Sequence, residues 1–146
     1  MSLSGGLGQL TYQFDYDAMC DLKGNTAVYM LYSHARICSI IRNSGVDVNA
    51  MRAAGATPKA VHPSEVALAM HMIRFPEIVE ATMDDLMPNR LTDYVYELAG
   101  KFNDFYRDCR VVGDEQQESR VLLCEATARV MRQVFQLLGI RPVYKI

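Results

Sequence analysis

Two stretches of this chain repeat their apolar residues at alternating steps of four and three, a pattern that only packed α-helices use well. In the first, Leu91, Val95, Leu98, Phe102, Phe105 and Cys109 make one narrow stripe, opened by Pro88-Asn89 and closed by Gly113-Asp114. In the second, Val121, Cys124, Ala128, Met131, Phe135 and Leu138 make another, ending at Gly139, which suits a left-handed cap, with Pro142 beyond. Two stripes of matching period must bury against each other or against a third helix, so the spacing predicts an antiparallel helical bundle.

The rest of the chain reads in the same way. A helix is expected over about 25–43, with Asn25 as its cap and Ser44-Gly45 as its end. Gly45, Gly55, Pro58 and Pro63 then mark a connection that holds a short turn of helix from Asp47. Ser64 is the expected cap of the next helix, which Pro76 interrupts near Phe75 before the pattern resumes. No stretch shows the alternation of a strand for long. The expected fold is all-α, with four to five helices, and 146 residues that are 50% hydrophobic can bury one core. Residues 1–13 read as a flexible leader or cloning scar and residues 14–146 as the helical domain.

Composition narrows the function. A net charge of -2 exerts no bulk pull toward nucleic acid or an anionic membrane, and DNA and membranes are not expected partners. No apolar run is long enough to span a bilayer, and the start lacks the form of a signal peptide. Gly5, Gly6 and Gly8 have the wrong spacing for a phosphate loop. Cys20, Cys38, Cys109 and Cys124 form no C-x-x-C pair, and His34, His62 and His71 share no ligand spacing with them or with one another. Reduced thiols and a cytoplasmic location follow, with no metal and no cofactor in this chain. Asp84-Asp85 and the acids of residues 113–118 read as solvated charge, Asp114 and Glu115 suiting the first turn of the last helix. Without a nucleophile–base constellation, an autonomous enzyme is not expected, and the catalytic residues are none.

The candidate chemistry is on the first helix. At about 100° per residue, Ala27, Leu31, Ala35 and Cys38 cluster on one side, while Tyr29, Tyr32, Ser33, Arg36 and Asn43 fall on the other. Tyrosines with an arginine a turn or two away can stack unpaired bases and fork onto phosphate oxygens. Equally, a second helix can cover that face and leave the tyrosines half-buried with their hydroxyls outward. The pairing recurs on the stripe helix, where Tyr106 lies on the flank and Arg110 one turn beyond it. The closing segment "GIRPVYKI" is expected to dock back on the bundle.

Three separated segments, "KGNTAVYMLYSHARICSI", "LTDYVYELAGKFNDFYRDCRVVG" and "LCEATARVMRQVFQLLGIRPV", resemble the C-terminal anticodon-binding domain of the arginyl-tRNA synthetases over about residues 14–146. The resemblance implies a class I synthetase helical domain that recognises the anticodon loop of arginine tRNA. It also implies a catalytic domain, preceding residue 14, that attaches arginine to tRNA with ATP and magnesium. That domain's His-x-Gly-His and Lys-Met-Ser-Lys-Ser motifs are absent here, and residues 14–24 read as the joint to it. The fragment alone is therefore expected to be inactive.

Carried over residue by residue, the Tyr-x-His-Ala/Ser-Arg motif is Tyr32, His34, Ala35 and Arg36, with Tyr29 as the aromatic three residues before it. Tyr29 and Arg36 match family anticodon contacts, and Tyr32 supports the surface beside them. Tyr106 matches a further aromatic. One turn on, a position sometimes aromatic in the family is Arg110, and the final residue, often methionine, is Ile146. The acidic-small-Leu-Arg signature of the wider domain family is present only loosely as Glu118-Ser119-Arg120. The competing expectation is a helical docking module that packs on a catalytic partner and contacts RNA negligibly by itself.

Overall fold

The computed structural model describes Tyr16 and residues 26–145. Apart from Tyr16, the expected leader and joint lie outside the described residues, as do Cys20, Asn25 and Ile146. The elements in order are α1 (Ala27–Ser44), α2 (Val48–Ala53), α3 (Pro63–Ile73), α4 (Phe75–Asp85), α5 (Asn89–Asp108) and α6 (Gln117–Leu137). All are helices, and the fold is an all-α bundle.

Most boundaries follow the expected chemistry, shifted by a residue or two. Thr26 caps α1, its hydroxyl accepting from the Tyr29 N–H at 3.3 Å, and Gly45 ends the helix at φ 68°. The anticipated turn after Asp47 is α2, with Asp47 accepting from Asn49 and Ala50. At α3 the cap is His62 and not Ser64. Pro63 holds the first helical position, so the residue before it must be extended, and the His62 ring accepts from the Ser64 N–H. Glu65 completes the cap by accepting from the N–H groups of Val61 and His62. Arg74 separates α3 from α4, with Pro76 in the first turn of α4. The last helix begins at Gln117, past Asp114 and Glu115. It ends in a Schellman motif, Ile140 N–H donating to the Phe135 carbonyl at 2.8 Å and Gly139 N–H to that of Gln136.

The two stripes meet as their spacing requires. Leu91, Val95, Leu98, Phe102 and Phe105 of α5 and Val121, Cys124, Ala128, Met131 and Phe135 of α6 are all buried in one core with Leu68, Met30, Ile37 and Ile40. Helices α1 and α6 run opposite ways: His34 meets Phe135 at one end, and the Gln117 side chain donates to the Ser44 carbonyl at the other. Helices α3 and α5 are also antiparallel, His71 stacking on Tyr94 while Ser64 approaches Cys109. Cys109 and Cys124 are buried, and burial pushes the Cys124 thiol up to about 12.

On α1 the buried stripe is not the one expected. Met30, Ser33, His34, Ala35, Ile37 and Ile40 are buried, Leu31 and Cys38 are half-buried, and Ala27 is exposed. The helix is covered from two directions, by α6 with the closing segment and by α5, so the covered arc is rotated from the one its small apolar residues outline. The segment after α6 docks as expected. His34 Nδ1–H donates to the Val143 carbonyl at 2.8 Å, Arg42 donates to that of Tyr144 at 3.2 Å, and the Tyr144 ring meets the His34 edge at 5.3 Å.

Candidate nucleic-acid interface

Of the expected site residues, Tyr29, Arg36 and Tyr106 come together where α1 packs on α5. Tyr29 packs on Tyr96 at 5.5 Å between ring centroids, and its hydroxyl accepts from Asn103 Nδ2 at 3.0 Å. The carbonyl end of the same amide accepts from Arg36 Nη1 at 3.2 Å. Arg36 in turn places its guanidinium carbon 4.9 Å from the centroid of the Tyr106 ring, and Tyr106 stacks on the buried Phe102 at 6.1 Å. The result is a continuous run of rings and a guanidinium held by one bridging amide. It gathers partly exposed phenol rings and an exposed cation, groups of the kind that stack unpaired bases and bind phosphate oxygens.

Tyr29 is half-buried against Tyr96, with its hydroxyl satisfied across the helix pair, so half-burial by a second helix describes its geometry. Tyr32 is 52% exposed and borders a shallow hollow with Arg36, Ser39, Arg42 and Lys145. It is therefore the more exposed ring of the pair.

Arg110 departs from expectation for a backbone reason. Helix α5 stops at Asp108 because Cys109 turns to an extended conformation, φ -122° and ψ 123°, which buries Cys109 and Val111. The end comes before Gly113, so Arg110 is not a helical turn beyond Tyr106. Its Nε donates to the Val112 carbonyl at 3.0 Å, and its guanidinium approaches Gly113, although it still shares a shallow hollow with Tyr106.

Sequence reasoning missed Asn103, Tyr96, Arg42 and Lys145. Asn103 sits between two stripe positions of α5, where its amide has no local partner to announce it, and its partners lie 67 and 74 positions away. His34 is fully buried and holds the closing segment. Burial keeps its pKa below the ordinary histidine value, outweighing the bond to Val143. Among the described residues no group of His, Cys, Asp and Glu could hold a metal, and no helix is long and apolar enough to cross a membrane.

The family described as the DALR anticodon binding domain matches residues 30–146. The chain belongs to that family. The DALR match runs from α1 through the closing segment and so includes Arg36, Asn103, Tyr106 and Lys145. Arg120 of the loose signature ties the start of α3 to the segment between α5 and α6, bridging Glu65 at 2.7 Å and Asp114 at 3.0 Å and donating to the Arg110 carbonyl. This DALR chain is 52% identical to the chloroplastic/mitochondrial arginine–tRNA ligase of Arabidopsis thaliana, over 92% of its own length and 21% of the relative's. The cytoplasmic arginine–tRNA ligase of the same plant is 50% identical, over 92% and 23%. The crystal structure of arginyl-tRNA synthetase from Plasmodium falciparum superposes with a TM-score of 0.84 at 34% identity, covering 92% of this chain and 24% of that one. The DALR chain thus spans between a fifth and a quarter of the length of these relatives.

Proposed function

We propose that this chain recognises the anticodon loop of an arginine tRNA, as the anticodon-binding part of an arginyl-tRNA synthetase. Residues 14–146 form that domain, and residues 14–24 lead to a catalytic domain. The parent enzyme attaches arginine to tRNA in the cytoplasm using ATP and magnesium, by chemistry in the part of the relatives that this chain does not cover. The observation that carries the reading is the cluster on α1 and α5: Arg36 bridged through Asn103 to Tyr29 and lying over Tyr106. Unpaired bases splay onto such aromatic and guanidinium planes. Tyr29, Arg36 and Tyr106 contact the loop, Tyr32 offers a further ring beside them, and Ile146, at the family's methionine position, packs against a base. Arg110 acts at its margin by charge, without stacking.

Titration of the chain with a labelled arginine anticodon stem-loop at low salt tests this. Each stacked base is worth about 1–3 kcal/mol, so Tyr29→Ala combined with Arg36→Ala should weaken binding by roughly one to two orders of magnitude. Binding that survives the double substitution unchanged removes these residues from the site.

A second reading has an observation of its own. Val66, Met70 and Ile73 are exposed one helical turn apart on α3, beside an apolar groove of about 430 Å³ that runs along α6. Such a face favours a docking module that packs on a catalytic partner. Self-association in light scattering, with no RNA shift at any salt concentration, would decide for it.

A further inference from the structure

The hollow beside the aromatic cluster has a chemistry of its own. Tyr32, Ala35, Arg36, Ser39 and Arg42 of α1 wall it together with Lys145 of the closing segment, around a volume of about 270 Å³. Among the described residues it is lined by three cations and two hydroxyls and by no carboxylate. Arg74, Arg90, Arg107, Arg120 and Arg132 each pair with an acid, whereas Arg36 and Arg42 form no ion pair among the described residues. Arg42 is held instead by neutral acceptors, the Tyr144 carbonyl at 3.2 Å and Ser39 Oγ at 3.4 Å, which orient it, while Asp47 and Glu125 lie in the separate hollow on its other side. The bond from His34 to the Val143 carbonyl fixes the backbone two residues before Lys145 and so brings that lysine to the rim. In a chain of net charge -2 this is a local concentration of positive potential, and a concave wall focuses it.

We propose that this hollow seats a phosphodiester group of the RNA backbone, next to the bases held by Tyr29, Arg36 and Tyr106. The inference rests on the reading of this face as RNA-binding and adds a division of labour. The aromatic cluster takes bases, and Arg42 and Lys145 take the backbone, with Arg36 at the boundary. Phosphate contacts fix register without reading sequence, so the two groups of residues leave different signatures.

The test titrates the full chain at several salt concentrations with the arginine anticodon stem-loop and with a stem-loop whose loop sequence is permuted. Arg42→Gln and Lys145→Gln should each weaken both RNAs by the same factor and flatten the slope of log affinity against log salt by about 0.7–0.9. Arg42→Lys keeps the charge and should keep the slope, which separates a phosphate contact from the role of Arg42 in anchoring the closing segment. Unchanged slopes in the Gln variants, a loss confined to the arginine loop, or a slope equally flattened by Arg42→Lys would overturn the phosphate seat. If the slopes flatten while Tyr106→Ala and Tyr29→Ala change nothing, the seat stands and the base-stacking assignment fails. If the unaltered chain shows no salt-sensitive RNA binding, both fall.

Discussion

His34 donates from Nδ1 to a carbonyl and turns Nε2 toward Cys38 Sγ, 3.6 Å away, in a site with no solvent contact. Its pKa is held below the ordinary value of about 6.5. Between the two values the unfolded chain binds a proton that the folded chain refuses. Stability is therefore full above about pH 6.5 and falls as the pH drops through that value. Urea midpoints measured from pH 7.5 to pH 5 should decline, and His34→Asn, which can still donate to Val143, should flatten the decline. Glu65 has the opposite chemistry. Burial alone would raise its pKa, but the Arg120 guanidinium and the N–H groups of His62 and Val61 hold it below the usual carboxylate range. Its contribution is present above that range and is lost as the pH falls through the lowered value. With the Glu65 side chain 1% exposed and that of Arg120 12%, Glu65→Ala should cost about 3–5 kcal/mol in chemical denaturation, far more than loss of a surface pair.

Helix α4 ends on Leu86, the only non-glycine residue with positive φ among the described residues, at 55°. Its side chain is 82% exposed, so packing offers little in return for the left-handed conformation. Leu86→Gly should raise stability by about 0.5–1 kcal/mol, read as an increased thermal midpoint, whereas glycine at an ordinary helical position would lower it. Helices α5 and α6 were legible because each buries one narrow stripe whose period survives in the sequence. The orientation of α1 was not. Its buried arc includes two polar residues, Ser33 and His34, the latter with partners in the closing segment and α6, and a wheel that ranks residues by apolarity places Ser33 outside. The end of α5 was misread for a related reason. Gly113 looks like a stop, but the helix stops earlier so that Val111 can reach the core, and no local pattern announces that.

For the whole molecule, the bundle and its chain direction could be read in advance, and so could the docking of the last residues. The list of site residues could be read only as disconnected positions. The α1 aromatics and Tyr106 are visible from the residues and from family resemblance. What assembles them is an asparagine that neither route singles out. The closing segment completes the face in the same non-local way. Deleting residues 143–146 should leave the helices formed while lowering the thermal midpoint by several degrees, since the buried His34 donor loses its acceptor at a cost of about 1–3 kcal/mol. Circular dichroism melts would report it.

The Asn103 amide has two ends, and both are engaged. A hydroxyl on one side and a guanidinium on the other are thereby joined in one mechanical linkage, so a ligand that displaces either must reset both. In a double-mutant cycle, Tyr29→Phe and Arg36→Ala should accordingly fail to sum, with a coupling of about 0.5–3 kcal/mol that disappears when Asn103 is replaced by alanine. The face would then register a bound strand as a single all-or-none event, and not as a tally of separate contacts.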